Sequence, residues 1–234
     1  MSGATAHPSL RRFQRDASSL FVKICGVRDA ETARVCAEAG ADAIGLVFAQ
    51  GSPRTVTEAE ASTVRIAFDR PEMVIGVFRD PSCDDPQLAA HGGAVQLHGR
   101  ESPEFVSELR QRWSSEGRAG CVIFKAVEPD EALLARWANV TGIDAILIDS
   151  AVAGSGAPHE QRWLERLGDL LPTVRAPIIL AGGLTPENVG EAIELVGPAG
   201  IDVSSGVESV RGVKDHAKIR AFIAAARAAH ARRR

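Results

Sequence analysis

Eight short apolar runs, each followed by a segment of helical pattern, constrain this chain more than any other feature. The runs are "LFVKIC" (20–25), "DAIGLVF" (42–48), "MVIGVF" (73–78), "AVQLH" (94–98), "CVIFKAV" (121–127), "DAILID" (144–149), "PIILAG" (177–182) and "IDVSS" (201–205). They are rich in Val and Ile and nearly continuously apolar, the pattern of parallel strands buried on both faces. Segments such as "AETARVCAEAG" and "TPENVGEAIELVG" lie between them with helical spacing. The latter predicts a helix opening at Thr185 as N-cap, with Pro186 in its first position and Glu187 in its first turn. A weaker repeat runs beneath. "AGADAIGLVF", "HGGAVQLHG", "TGIDAILIDS" and "AGIDVSSG" each place a glycine just before a strand, at intervals of about fifty residues, and so mark alternate units of an eight-fold array. Eight βα units predict a single (β/α)8 barrel over residues 20–234 rather than an open doubly wound sheet. No Gly-rich dinucleotide fingerprint follows the first run, which also weighs against the open sheet. Residues 1–19 are polar and read as a loose N-terminal extension.

The 234 residues are 45% hydrophobic, enough for one large core. A net charge of −3, with acids and bases interspersed, offers no nucleic-acid or membrane surface. No apolar run reaches the ~20 residues of a membrane span, and no apolar segment near the start resembles a secretory signal. Cys25, Cys36, Cys83 and Cys121 are scattered without a C-x-x-C pair, which argues against structural zinc and thioredoxin-type chemistry and suits a reducing cytoplasm.

A barrel of this type carries its site at the C-terminal ends of its strands. There the first strand presents Lys23 and Cys25 on one face by alternation. Cys25 reads equally as a small core residue or as a reactive thiol, and a neighbouring cation is expected to lower its pKa. Arg54 sits in the turn-rich "AQGSPRTVT" after strand 2, able to fork onto a carboxylate or phosphate or to remain a surface arginine. Gln96 and His98 share a face at the end of strand 4, with His98 read as a hydrogen-bonded residue shaping the pocket. Asp149 closes strand 6 and is a candidate acid, or else the cap of a turn. Gly154 and Gly156 follow in a loop able to fold over a ligand. The loops after strands 7 and 8 carry Gly182, Gly183, Ser205 and Gly206, a pairing that fits a phosphorylated small molecule. Asp202, inside strand 8, is a second acid candidate. No metal-ligand cluster or cofactor motif is apparent. An acid and a base across a phosphorylated sugar point to proton transfer without a cofactor, as in an isomerase.

Taken in order, "KICGVRD", "GLVFAQGSPRTV", "VQLHG", "ILIDS…GSG", "LAGGLTPENV" and "DVSSGVES" with the following G.KD pattern resemble the phosphoribosylanthranilate isomerases of tryptophan biosynthesis, from about residue 21 to residue 223. The resemblance implies an Amadori rearrangement of an aminoaldose to 1-(2-carboxyphenylamino)-1-deoxyribulose 5-phosphate, with no cofactor, in a cytoplasmic monomer or homodimer. It implies Cys25 as general base, Asp149 as general acid and Arg54 as the group holding the anthranilate carboxylate. One stretch departs from the family. After the strand-6 glycines the usual Phe-Asp-Trp segment is replaced by "GSGAPHEQRWL". The sister isomerase of histidine biosynthesis is an alternative, opposed by a cysteine at the end of strand 1 where that family resembles a two-aspartate enzyme. A non-catalytic phosphometabolite-binding barrel is the other.

Overall fold

The computed structural model describes residues 20–91, 93–149 and 158–233. The extension at 1–19 and residues 150–157, with Gly154, Gly156 and the start of the departing "GSGAPHEQRWL" stretch, lie outside them. The eight expected strands are present as β1 (Phe21–Cys25), β2 (Ala43–Val47), β3 (Val74–Phe78), β4 (Ala94–Leu97), β5 (Val122–Val127), β6 (Ala145–Asp149), β7 (Ile178–Ala181) and β8 (Gly200–Val203). All pair in parallel and in chain order, and β8 pairs with β1 to close a barrel. Ser205 belongs to a 3-10 turn beyond β8, not to the strand that "IDVSS" suggested. A small antiparallel hairpin of β9 (Glu208–Val210) and β10 (Val213–Lys214) follows, unforeseen because neither piece carries an apolar run.

Helices α1 (Ala30–Ala39), α2 (Glu58–Ala67), α3 (Pro86–Ala90), α4 (Pro103–Ser115), α5 (Glu131–Trp137), α6 (Pro158–Leu170), α7 (Val189–Val196) and α8 (His216–Arg232) alternate with the strands. Their ends follow local chemistry. Asp29 caps α1 by accepting from the Thr32 amide, and Gly40 ends it at φ 90°. Thr57 and Glu60 form a reciprocal capping box on α2. The regular part of α7 begins at Val189, but Thr185 caps its entry as expected: Thr185 Oγ1 accepts from the Glu187 amide (3.2 Å), Thr185 O accepts from the Val189 amide (3.1 Å), and Asn188 Oδ1 accepts from the Thr185 amide in return (2.7 Å). Helix α8 buries Ile219, Phe222, Ile223, Ala226 and Ala229 and contacts both α1 and α7, which closes the outer ring. No helix of the described residues is long and apolar enough to cross a membrane.

The strand register stacks the barrel interior in layers. Phe21 and Phe124 meet edge to face at 5.9 Å and plug the N-terminal end. Lys23 and Asp202, paired in register across the β1–β8 seam, form the next layer. Cys25, Val47 and Val77 form an apolar shelf above it, just below the mouth. Gly45 makes this stacking possible. A Cβ there would lie 2.8 Å from Cys25 Sγ and 3.2 Å from Lys23 Nζ.

His91 is buried behind this wall against Phe48 and Phe78. Its Nε2–H donates to Val74 O (3.0 Å), and its Nδ1 accepts from Arg65 Nη2 (2.9 Å), so both partners suit the neutral ring. Burial lowers its pKa to about 4. The unfolded chain therefore binds a proton that the fold refuses. The stabilisation is complete above the unfolded value of 6.5 and is lost as pH falls from there to about 4, on the order of 3 kcal/mol in all. Urea midpoints at pH 7.5 and 4.5 are expected to diverge in the wild type and to converge in His91→Gln. Equal divergence in both proteins would remove His91 as the cause.

Candidate active site

A cavity of about 480 Å3 opens at the C-terminal ends of the strands. Cys25, Arg54, Gln96, His98, Asp149 and Asp202 all line it, drawn from β1, β2, β4, β6 and β8 or the loops that follow them. Lys23 lies beneath, fully buried.

The surroundings of Cys25 differ from the sequence expectation in sign. Burial pushes the thiol up from its usual range and outweighs the pull of Lys23 and Lys214, while Asp202 pushes it further. A nearby cation is present as expected, but the thiol is the resting form. Lys23 is itself committed: its Nζ donates to Asp202 Oδ1 at 2.9 Å. Burial opposes the charge on Lys23, yet Asp202 and the thiol hold its pKa above the usual lysine range. Burial also raises the Asp202 carboxyl against the pull of Lys23. Asp202 is thus the buried counter-ion of Lys23 rather than a second free acid.

Asp149 ends β6 with its side chain 37% exposed, at the rim rather than desolvated within the barrel. Oδ2 lies 3.2 Å from His98 Nε2, and His98 Nδ1 lies 2.8 Å from Gln96 Nε2. An amide donating to Nδ1 places the ring proton on Nε2, directed at the carboxyl. His98 therefore orients Asp149, a more specific role than shaping the pocket. Gln96 Oε1 is buried without a hydrogen-bond partner among the described residues.

Arg54 lines the cavity but does not present a free fork. Its Nε and Nη2 donate to Glu208 Oε1 and Oε2 at 2.6 and 2.9 Å. Glu208 also accepts from the Gly212 amide (3.1 Å) and from Lys214 Nζ (3.1 Å). Burial works against its charge, but these donors prevail and bring its carboxyl down to about 2. Lys214 Nζ continues to Ser204 O at 2.8 Å, and Ser204 Oγ donates to Cys25 O at 3.2 Å. Glu208 and Lys214 support the cavity wall through Arg54 and Ser204, and pattern reading passed over both. Both stood in the family motif, but no local periodicity assigns a partner 154 residues away.

Gly182 and Gly183 follow β7 with φ of 79° and 58°, a left-handed pair that only glycine adopts without strain. They line the cavity together with Ser204 and Ser205 from the loop after β8. Successive amides in such a turn suit an anion. Gly206 has a different place. A Cβ there would stand 1.8 Å from Leu184 O, so this glycine lets the two loops touch and is not among the cavity-lining residues.

Residues 22–225 match the family model described as N-(5'phosphoribosyl)anthranilate (PRA) isomerase. The isomerase of that name from Roseiflexus sp. (strain RS-1) is 43% identical over 221 residues, covering 89% of this chain and 98% of its own length. That from Hyphomonas neptunium is 40% identical over 217 residues, covering 88% of this chain and 97% of its own length. Among solved structures, phosphoribosyl anthranilate isomerase from Thermotoga maritima superposes with a TM-score of 0.74 at 32% identity, covering 89% of this chain and 99% of its own. A phosphoribosyl anthranilate isomerase in complex with reduced 1-(o-carboxyphenylamino)-1-deoxyribulose 5-phosphate superposes with a TM-score of 0.73 at 32% identity over the same shares. With a family match spanning nearly all of the barrel and relatives aligned over almost their full length, the chain belongs to the N-(5'-phosphoribosyl)anthranilate isomerase family.

Proposed function

We propose that this protein isomerises N-(5-phosphoribosyl)anthranilate in tryptophan biosynthesis by an Amadori rearrangement, with Asp149 as general acid and Cys25 as general base. One observation carries the reading. Around the barrel the order is β6, β7, β8, β1, so the acid and the thiol flank the two glycine- and serine-bearing loops. A sugar phosphate anchored by those loops has its ring between the two groups. The ligand of the related complex joins a phosphate, a five-carbon chain and an aromatic carboxylate.

The steps balance without a redox partner. Asp149 gives its proton to the furanose ring oxygen as the C1′–O bond breaks. The nitrogen lone pair forms C1′=N, opening the ring to a Schiff base. His98 Nε2–H bonds the carboxylate left behind. Cys25, as thiolate, then takes the C2′ proton. The C–H electrons form C1′=C2′, and the C=N pair returns to nitrogen as an enolamine. Tautomerisation delivers the ketone at C2′ and a CH2 at C1′. The thiolate is reached from a resting thiol, and Lys23 and Lys214 favour the charged form. Lys23 stays cationic because Asp202 neutralises the pair as a whole. The Arg54–Glu208 fork holds the loop after β2 beside the substrate, leaving Arg54 Nη1 to face a carboxylate.

The test follows the fluorescence of phosphoribosylanthranilate generated in situ. Enzyme-dependent decay above the spontaneous rate is expected. Folded protein that leaves the decay unchanged would refute the assignment and return attention to the segment after β6, where the sequence departs from the family.

A further inference from the structure

A second cavity, of about 790 Å3, opens beside the first. It is bordered by the ends of β4, β5 and β6 and reaches outward to α5. The two cavities share Arg79, His98 and Asp149, so they adjoin at the proposed acid. The floor of the second is built on the outer side of the barrel. Phe124 points inward to meet Phe21, so alternation sends Lys125 the other way, toward α5. Lys125 Nζ lies 5.6 Å from the centre of the Trp137 ring. It donates to Glu101 Oε2, Gly99 O and Ala126 O, each at 2.8 Å. Leu133 and Trp137, one helical turn apart on α5, give the floor its apolar part.

Three arginines stand around this floor: Arg79 after β3, Arg100 in the loop after β4, and Arg136 on the same face of α5 as Leu133. All are exposed, and among the described residues none of their guanidinium groups has a hydrogen bond or ion pair. Glu101 neutralises Lys125 at 2.8 Å, and Asp149 holds its proton in the reaction proposed above. Three unpaired guanidinium groups then face two carboxylates, Asp80 and Glu128, and pair with neither. The cavity keeps an excess of positive charge and three free forks. The backbone beneath them is fixed. Asp80 has φ 49°, the one positive value at a non-glycine residue among those described. Its amide donates to Glu101 Oε1 at 2.9 Å, and its Oδ1 accepts from the Arg100 amide at 2.5 Å. Gly99 permits this approach, since a Cβ there would collide with the Asp80 carboxylate. The bases of Arg79 and Arg100 are thus tied to one wall, with Arg136 on the other. Charged heads left free on a pinned backbone are preorganised for a ligand of opposite charge.

We infer that this cavity is a second ligand site, taking a small organic oxyanion, a phosphate or carboxylate borne on an apolar body. The arginines supply forks for the oxyanion, and Leu133 and Trp137 flank the body. The site is separate from the loops after β7 and β8 assigned above to the substrate phosphate. An occupant stands against His98 and Asp149 from the outer side. Its negative charge disfavours the carboxylate that Asp149 becomes on giving up its proton. Occupancy therefore lowers kcat without displacing substrate. That effect on turnover rests on the proposed acid, whereas the binding does not.

The experiment titrates inorganic phosphate and, separately, benzoate into protein saturated with reduced 1-(o-carboxyphenylamino)-1-deoxyribulose 5-phosphate. The saturating ligand fills the catalytic cavity, so calorimetry reads the second site. Wild type is expected to bind at least one of the two anions, and the tighter one tells a phosphate site from a carboxylate site. Arg100→Met/Arg136→Met changes no residue lining the catalytic cavity. It is expected to weaken that binding by about 100-fold, two charge-assisted contacts at about tenfold or more each. In turnover assays the anion is expected to lower kcat of wild type and to leave kcat of the variant unchanged. Competition at the phosphate loops raises KM alike in both proteins. No binding of either anion to saturated wild type, or equal binding to the variant, overturns the inference. If the saturating ligand fails to bind and wild type shows no turnover, the isomerase reading falls. The same titrations on the free proteins then decide the second site, where an equal response of wild type and variant overturns it.

Discussion

Cys25→Ala is expected to lower kcat for phosphoribosylanthranilate by roughly 10^3-fold, near the middle of the range for losing a positioned general base. KM is expected to move little, because the thiol grips neither of the charged ends. Removing one buried sulfur beside Val47 and Val77 costs about 1 kcal/mol or somewhat more, so the variant folds. A fall of less than tenfold would place the base elsewhere. The pH dependence tests the same group independently. Burial sets the thiol above its ordinary value of 9.0, and the thiolate fraction grows with pH until that raised pKa is passed. The rising limb of the kcat/KM profile is therefore expected to extend above 9. Lys23→Met, which removes the nearest cation, is expected to move it higher.

Asp149→Asn is expected to reduce kcat to a similar degree, for a different reason. The carboxamide is nearly isosteric, and its oxygen still accepts from His98 Nε2–H, so the 3.2 Å contact and the fold survive. What disappears is a proton to give to the ring oxygen. Circular dichroism and urea midpoints are expected to match wild type while turnover falls by ~10^3-fold. The double variant Cys25→Ala/Asp149→Asn is expected to be scarcely slower than either single one, because the two groups serve one sequence of steps. Multiplicative losses would show that they act in separate processes.

The sequence exposed some of this plan and hid the rest for definable reasons. The barrel was legible because parallel strands buried on both faces must be apolar throughout, and eight such runs leave few other closures. Cys25, His98 and Asp149 were legible as candidates because they end those runs, and Arg54 because it stands in the loop after the second. Glu208 and Lys214 were not assigned roles, since their purpose is fixed by partners on distant strands and not by neighbours in the chain. The direction of the Cys25 shift was misread for a related reason. Alternation reveals that Lys23 shares its face, but it does not weigh desolvation against that charge. At α7 the Thr-Pro-Glu signal marked the cap correctly, and only the first turn, where Asn188 bonds back to the Thr185 amide, departs from regular helix.

The β1–β8 seam has a consequence for how activity arises during synthesis. Lys23 and Cys25 come from the start of the barrel, while Asp202, Ser204 and Lys214 come from its end, with the Lys23–Asp202 pair 179 residues apart in sequence. A chain emerging from the ribosome can assemble Asp149 and His98 from β6 and β4, which flank β5, well before the thiol has its counter-charges. On the proposed assignment, the base becomes competent only when the last strand docks against the first. With Asp149 and Cys25 in the proposed roles, turnover is a reporter of topological completion: seven strands, however well packed, hold an acid without its base.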